Sequence, residues 1–281
     1  MILQNEYLRA EIKSRGAELI SVKNTAEYEY IWQADEKIWA KHCPVLFPIC
    51  GRLVDKKYTY GGKTYEMNSH GFASTSIFRE ELVSETEAKF ILTESEETLK
   101  KYPFRFVFTV RYALEKNTLS VEYRVENPAK EDLYFSFGAH EAYNAENFEK
   151  WSVELEKKED LYLKKLPVLG YLEEGRQLFE KNVKELPLTY KLFENDALIF
   201  DGLQSRSVLL KRNGTPVVKV EFSDFKELLL WTKVGAPYLC IEPWNGLPDY
   251  VGGSGEFSEK KGIIRLGGGK TFSAVHKITF F

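Results

Sequence analysis

The strongest constraint in this sequence is a period of two. Across residues 104–112, Phe104, Phe106, Phe108, Val110 and Tyr112 fall on one face, and Arg105, Val107, Thr109 and Arg111 on the other. Leu119, Val121, Tyr123 and Val125 then alternate with Ser120, Glu122, Arg124 and Glu126. Successive side chains of an extended chain point to opposite sides of a sheet, so both runs predict half-buried strands. The polar stretch 114–118 between them has hairpin length. Two further hairpins are marked by their turns. Gly61-Gly62 separates residues 58–60 from 64–67, and Asn213-Gly214 separates 207–211 from 217–222. These residue types tolerate the positive φ that tight hairpin turns require. Residues 197–200, 228–232 and 238–241 add short strand-like runs, and 271–281 reads as a final strand. The best helical signal is 95–102, stopped by Pro103.

Many short strands and few helices place the chain in the all-β class, as a large antiparallel β-sandwich spanning residues 1–281 as one domain. No fixed-period repeat points to a propeller or solenoid. The charge-rich, poorly periodic stretch 151–190 is expected to form long loops over the sheet. With 281 residues and 43% apolar content, the chain can fill a sizeable core. Its 39 basic and 42 acidic residues give a net charge of −3 with no basic stripe, which argues against a nucleic-acid partner. No apolar stretch approaches the ~20 residues of a membrane span. The N-terminal segment carries a charge every few residues and no apolar h-region, so no signal peptide is read. Cys43, Cys50 and Cys240 are too few, and odd in number, for a disulfide scaffold. A cytoplasmic location is the expectation.

Chemistry narrows to a few residues. The 4 histidines are His42, His70, His140 and His276. His70 follows a predicted strand and precedes Gly71; His140 stands where the aromatic run 135–137 passes into small residues. Apolar scaffolds commonly present titratable groups to pockets in this way, although a hydrogen-bonded histidine at a loop entry is the plainer reading of each. Glu242 ends the apolar run 238–241 and is followed by Pro243 and Trp244. Desolvation there would raise its pKa towards the range useful to a general base. His42, Cys43 and Cys50 lack the spacing of a zinc site, so no metal is expected. Gly252-Gly253-Ser254-Gly255 and Gly267-Gly268-Gly269-Lys270 do not form a P-loop, no G-x-S-x-G elbow occurs, and His276 reads as structural.

Four segments together resemble the aldose 1-epimerase (galactose mutarotase) superfamily, in particular its divergent bacterial LacX-like branch. They are Gly51-Arg52 with the following hairpin and Asn68-Ser69-His70-Gly71; Tyr102-Pro103-Phe104-Arg105-Phe106; Phe137-Gly138-Ala139-His140; and Ile241-Glu242-Pro243-Trp244-Asn245-Gly246. The resemblance covers nearly the whole chain. It implies a supersandwich fold with a sugar cleft on one sheet, and cofactor-free interconversion of the α and β anomers of an aldohexose or its phosphate. It assigns Glu242 as base, His140 as acid and His70 as an aid at the ring oxygen. Arg52, Asp201, Asn68 and Trp244 would bind substrate, and Trp231 and Tyr143 are further candidates for packing on a pyranose. Glu141 departs from the proline that many relatives carry after the acid histidine. It could raise that histidine's pKa or face away from it. Two other functions fit the residues: a non-catalytic carbohydrate-binding protein using the same cleft, and a glycoside hydrolase pairing Glu242 with Asp201 or Asp249.

Overall fold

The computed structural model describes residues 1–168 and 170–281. Among the described residues, the principal sheet has nine strands, all antiparallel. In spatial order they are Tyr171–Pro187, Trp151–Val168, Ser207–Arg212, Thr215–Glu221, Thr271–Phe280, Thr118–Glu126, Val107–Glu115, Glu87–Thr93 and Arg79–Ser84. The alternating runs produce its centre. Phe108, Val110, Tyr112, Leu119, Val121, Tyr123 and Val125 are buried, and their polar neighbours face out. The ladder begins at Val107; Phe104 and Phe106 are buried just ahead of it, outside the hydrogen-bonded strand. Asn213 (φ 50°) and Gly214 (φ 80°) both adopt left-handed conformations, as the tight turn between Ser207–Arg212 and Thr215–Glu221 demands. The single α-helix among the described residues, Glu96–Lys101, carries a capping box at Ser95 and Thr98.

A smaller sheet faces the first and carries the chemistry. The strand Tyr238–Asn245 lies between Glu227–Trp231 on one side and the pair Phe137–Gly138 and Glu141–Asn144 on the other; Leu198–Ile199 completes the sheet beyond Glu227–Trp231. Every residue of Tyr238–Asn245 is buried, so this strand is covered on both faces. Leu239 and Ile241 belong to the large core cluster between the sheets, which draws on residues from Leu3 to Phe280. Tyr238, Cys240 and Trp244, offset by one, belong to smaller clusters on the other side.

The expectation of loops over residues 151–190 is corrected by the structure. Trp151–Val168 and Tyr171–Pro187 are long paired strands broken by repeated register shifts. Much of Tyr171–Pro187 is exposed on both faces, so charged side chains occupy successive positions and the alternation that marks a half-buried strand is lost. Isolated bridges tie this hairpin to Phe200, just past Leu198–Ile199 (from Leu163), and to Tyr250, in the segment after Tyr238–Asn245 (from Leu172).

Candidate active site

The site is built by strand register. Glu141 pairs with Ile241 and Gly138 with Trp244, which sets His140 opposite Glu242 across the ladder. Directly opposed side chains on one face of an antiparallel pair are close neighbours. His140 Nε2 accordingly lies 3.4 Å from Glu242 Oε2, with Glu242 only 2% exposed at its side chain. Aromatic rings fix the imidazole. Trp39 stacks on it at 5.2 Å, and Trp231 meets it edge-on at 5.8 Å. Both His140 and Glu242 line a cavity of about 240 Å³, together with His70, Arg52, Trp244 and Asp196 among others.

His70 enters from a strained turn. It has φ 64° and Gly71 φ 75°; a Cβ on Gly71 would stand 2.2 Å from the Phe47 carbonyl oxygen, so only glycine fits there. The turn places the His70 ring 5.6 Å from that of His140 and the same distance from Trp244. The Gly51 N–H donates to His70 Nδ1 at 3.2 Å. That bond makes Nδ1 the acceptor and leaves Nε2 to carry the proton. Burial, reinforced by the charges of Lys41 and Arg52, pushes the His70 pKa down to about 3. His70 is therefore a neutral hydrogen-bond donor at neutral pH.

Burial also sets the electrostatics of the central pair. It holds His140 well below the usual imidazole range, helped by His70 and Lys41. It lifts Glu242 well above the usual carboxylate range, with the charges of Glu141 and Asp196 adding to the effect. Between those limits the pair holds one exchangeable proton, shared between two atoms that lie 3.4 Å apart.

The expected substrate contacts divide. Arg52 and Trp244 line the cavity. Trp244 is anchored by its indole N–H to the Ala139 carbonyl at 3.0 Å, and the Arg52 side chain lies against Gly170, where a Cβ would come within 2.7 Å of it. Asn68 and Asp201 do not line the cavity. Asn68 is exposed, and its neighbour Ser69 takes the place at the wall. Asp201 is held on the long hairpin: it accepts from Lys164 Nζ at 2.5 Å, and its N–H donates to the Tyr162 carbonyl. Tyr143 is fully buried in the core and Trp231 lines the cavity.

Glu141 faces the opposite side of its strand from His140, as adjacent strand residues must. It accepts from His276 Nε2 at 3.0 Å in the core between the sheets. Asp249, the other carboxylate considered for a hydrolase pair, is bound to Lys260 at 2.6 Å and to the Val54 N–H. Neither Asp201 nor Asp249 reaches the cavity that holds Glu242. Sequence reasoning missed Trp39, Lys41 and Asp196. Trp39 and Lys41 lie in an irregular segment with no periodic signal, whereas Asp196, at φ 92°, adjoins the predicted run 197–200 and was within reach.

Cys43, Cys50 and Cys240 are free and buried. His42, Cys43 and Cys50 do not gather. Among the described residues, the group with ligand atoms close enough to share an ion is His140, Cys240 and Glu242. No described helix is long and apolar enough to cross a membrane.

The model of the aldose 1-epimerase family matches residues 1–265. This chain belongs to the aldose 1-epimerase family. The plasmid-encoded protein LacX of Lactococcus lactis subsp. lactis is 35% identical over 260 residues, 87% of each chain. Two solved structures share the fold closely. A galactose mutarotase related enzyme from Lactobacillus acidophilus has TM-score 0.94 and 33% identity, covering 100% of this chain and 97% of its own. A galactose mutarotase-like protein from Lactobacillus casei ATCC 334 has TM-score 0.94 and 30% identity, covering 100% and 99%. The galactose mutarotase-like β-sandwich and the family read from the sequence are thereby established.

Proposed function

We propose that this family member is a mutarotase, interconverting the α and β anomers of an aldohexose or its phosphate by general acid–base catalysis. One observation carries the reading: a buried carboxylate and imidazole 3.4 Å apart in a sugar-sized cavity. The two oxygens of a cyclic hemiacetal share one carbon, so a catalyst acting on both needs its two groups in near contact. Glu242 takes the proton of the anomeric hydroxyl as the bond between C1 and the ring oxygen breaks. His140 delivers its proton to that oxygen, and His70 donates a hydrogen bond beside it. Rotation about C1–C2 in the open-chain aldehyde exposes the other carbonyl face, and the same transfers run backwards to close the ring. Protons and atoms balance over the cycle without a co-reactant. The proton that burial favours on Glu242 must first cross to His140, a short step at this separation.

Trp231 and Trp244 offer apolar faces to a pyranose, and Arg52 and Lys41 supply positive charge at the wall. Arg79 pairs with Glu81, Arg206 bonds the Leu203 carbonyl and Lys233 the Ile38 carbonyl, and none of the three lines the cavity. The test follows anomer exchange by NMR for glucose, galactose and their 6-phosphates. Acceleration that Glu242→Gln and His140→Asn each reduce supports the reading. Saturable sugar binding without acceleration would make the chain a binding protein instead.

A further inference from the structure

Cys240 takes no part in the proton transfers just described, yet the fold delivers it to them. Two residues before Glu242 on Tyr238–Asn245, it shares Glu242's face of the sheet, and it lies diagonally across the ladder from His140. It is fully buried and free. One ligand atom from each of His140, Cys240 and Glu242 falls within 4.8 Å of the others. The His140 ring is held by stacking, and its Nδ1 is buried with no hydrogen-bond partner among the described residues.

We propose that the group formed where buried Cys240 backs His140 and Glu242, the two of the three that line the cavity, is also a binding site for a thiophilic divalent cation, held by the His140 imidazole, the Cys240 thiolate and the Glu242 carboxylate, which silences the enzyme when occupied. Three arguments converge on that class of ion. The donors are one nitrogen, one sulfur and one oxygen, the mixed set that zinc accepts and that magnesium or calcium does not. One thiolate and one carboxylate neutralise a divalent charge, which a buried centre requires. Three protein ligands leave a fourth position for a water, which would complete a tetrahedron. The ligand atoms, all within 4.8 Å of one another, must draw together to meet zinc at its usual ~2.0–2.3 Å, a side-chain movement rather than a backbone one. On binding, the thiol proton and any proton on Glu242 pass to the buffer; nothing is oxidised or reduced. Metal and sugar then compete, because the ion engages both proton-transfer groups.

The silencing rests on the mutarotase reading, whereas the binding does not. Wild-type protein, Cys240→Ala and a second buried-thiol variant, Cys43→Ala, are titrated with Zn²⁺ by calorimetry and with Co²⁺ by absorption. Circular dichroism establishes that each is folded. Wild type and Cys43→Ala should take up one Zn²⁺ per chain and show a thiolate-to-cobalt charge-transfer band. Cys240→Ala should lose that band and bind zinc more weakly by over ~100-fold, beyond what loss of an outer-shell partner costs. Zn²⁺ should suppress anomer exchange by wild type and spare Cys240→Ala. Equal zinc affinity in wild type and Cys240→Ala, absence of the charge-transfer band, or no zinc binding by wild type would each overturn the proposal. A chain that binds zinc through Cys240 but never accelerates exchange would refute the mutarotase reading alone. Exchange that is accelerated but indifferent to zinc bound through Cys240 would refute the silencing alone.

Discussion

Replacing His276 by phenylalanine isolates the buried pair behind the active site. His276 is fully buried, stacks on Tyr123 at 5.7 Å and touches Phe225 edge-on, so a phenyl ring can occupy its place. What is lost is the 3.0 Å hydrogen bond to Glu141, itself 4% exposed. The second carboxylate oxygen of Glu141 already has no hydrogen-bond partner among the described residues. Stranding one member of a buried pair costs about 3–5 kcal/mol. For a chain of 281 residues unfolding as one unit, unfolding entropy of about 2.1 cal/mol/K per residue amounts to ~0.6 kcal/mol/K, so Tm should fall by roughly 5–8 °C. Replacing both members by apolar groups removes the stranded carboxylate, and Glu141→Leu with His276→Phe should recover most of the loss. Thermal melts of wild type, the single variants and the double variant at one pH measure the cycle. A His276→Phe protein melting within about 1 °C of wild type, or a double variant no more stable than the single, would refute this account of the pair.

Glu242→Gln should lower kcat/KM for anomer exchange by about 10²–10⁴-fold and also stabilise the fold at neutral pH. The folded-state pKa of Glu242 is raised, so its ionisation destabilises the protein progressively as pH climbs above the unfolded carboxylate value of about 4.3. The Tm advantage of the variant should therefore vanish near pH 4 and open at pH 7–8; an advantage independent of pH would contradict the assigned cause. The pH profile of kcat/KM should be a plateau bounded by the singly protonated pair. Its acid limb should lie below the usual histidine range, because His140 is lowered, and its alkaline limb above the usual carboxylate range, because Glu242 is raised. An acid limb centred on an ordinary histidine value would detach His140 from the rate. Lys41→Met should cost hexose 6-phosphates about tenfold in kcat/KM and free hexoses much less, as kinetics on matched pairs of sugars will show.

Much of the fold was legible because one face of each central strand is wet and the other dry. That contrast made residues 107–126 and 207–221 readable. It failed for Trp151–Pro187, where extensive exposure on both faces let charges fall at successive positions and masked strands of unusual length. In the site, Glu242 announced itself as a charge inside an apolar run, and the structure extends that run, buried throughout, to Asn245. Its contact with His140 was not legible from local pattern, since it depends on a register between segments about a hundred residues apart; the family motifs supplied it. Asp201 illustrates the opposite error. It ends an apolar run much as Glu242 does, but its carboxylate turns to Lys164 on the hairpin, and Asp196 supplies the acidic group at the wall. Lys41 and Trp39 sit in irregular chain whose course only tertiary packing decides.

The long hairpin gives the pocket two independent makers. Its residues Leu166 and Gly170 form part of the cavity wall, while Glu242 stands on a strand of the smaller sheet. Mutations along that arm can therefore reshape one wall of the pocket without touching the strand that holds Glu242, so shape and charge can vary separately.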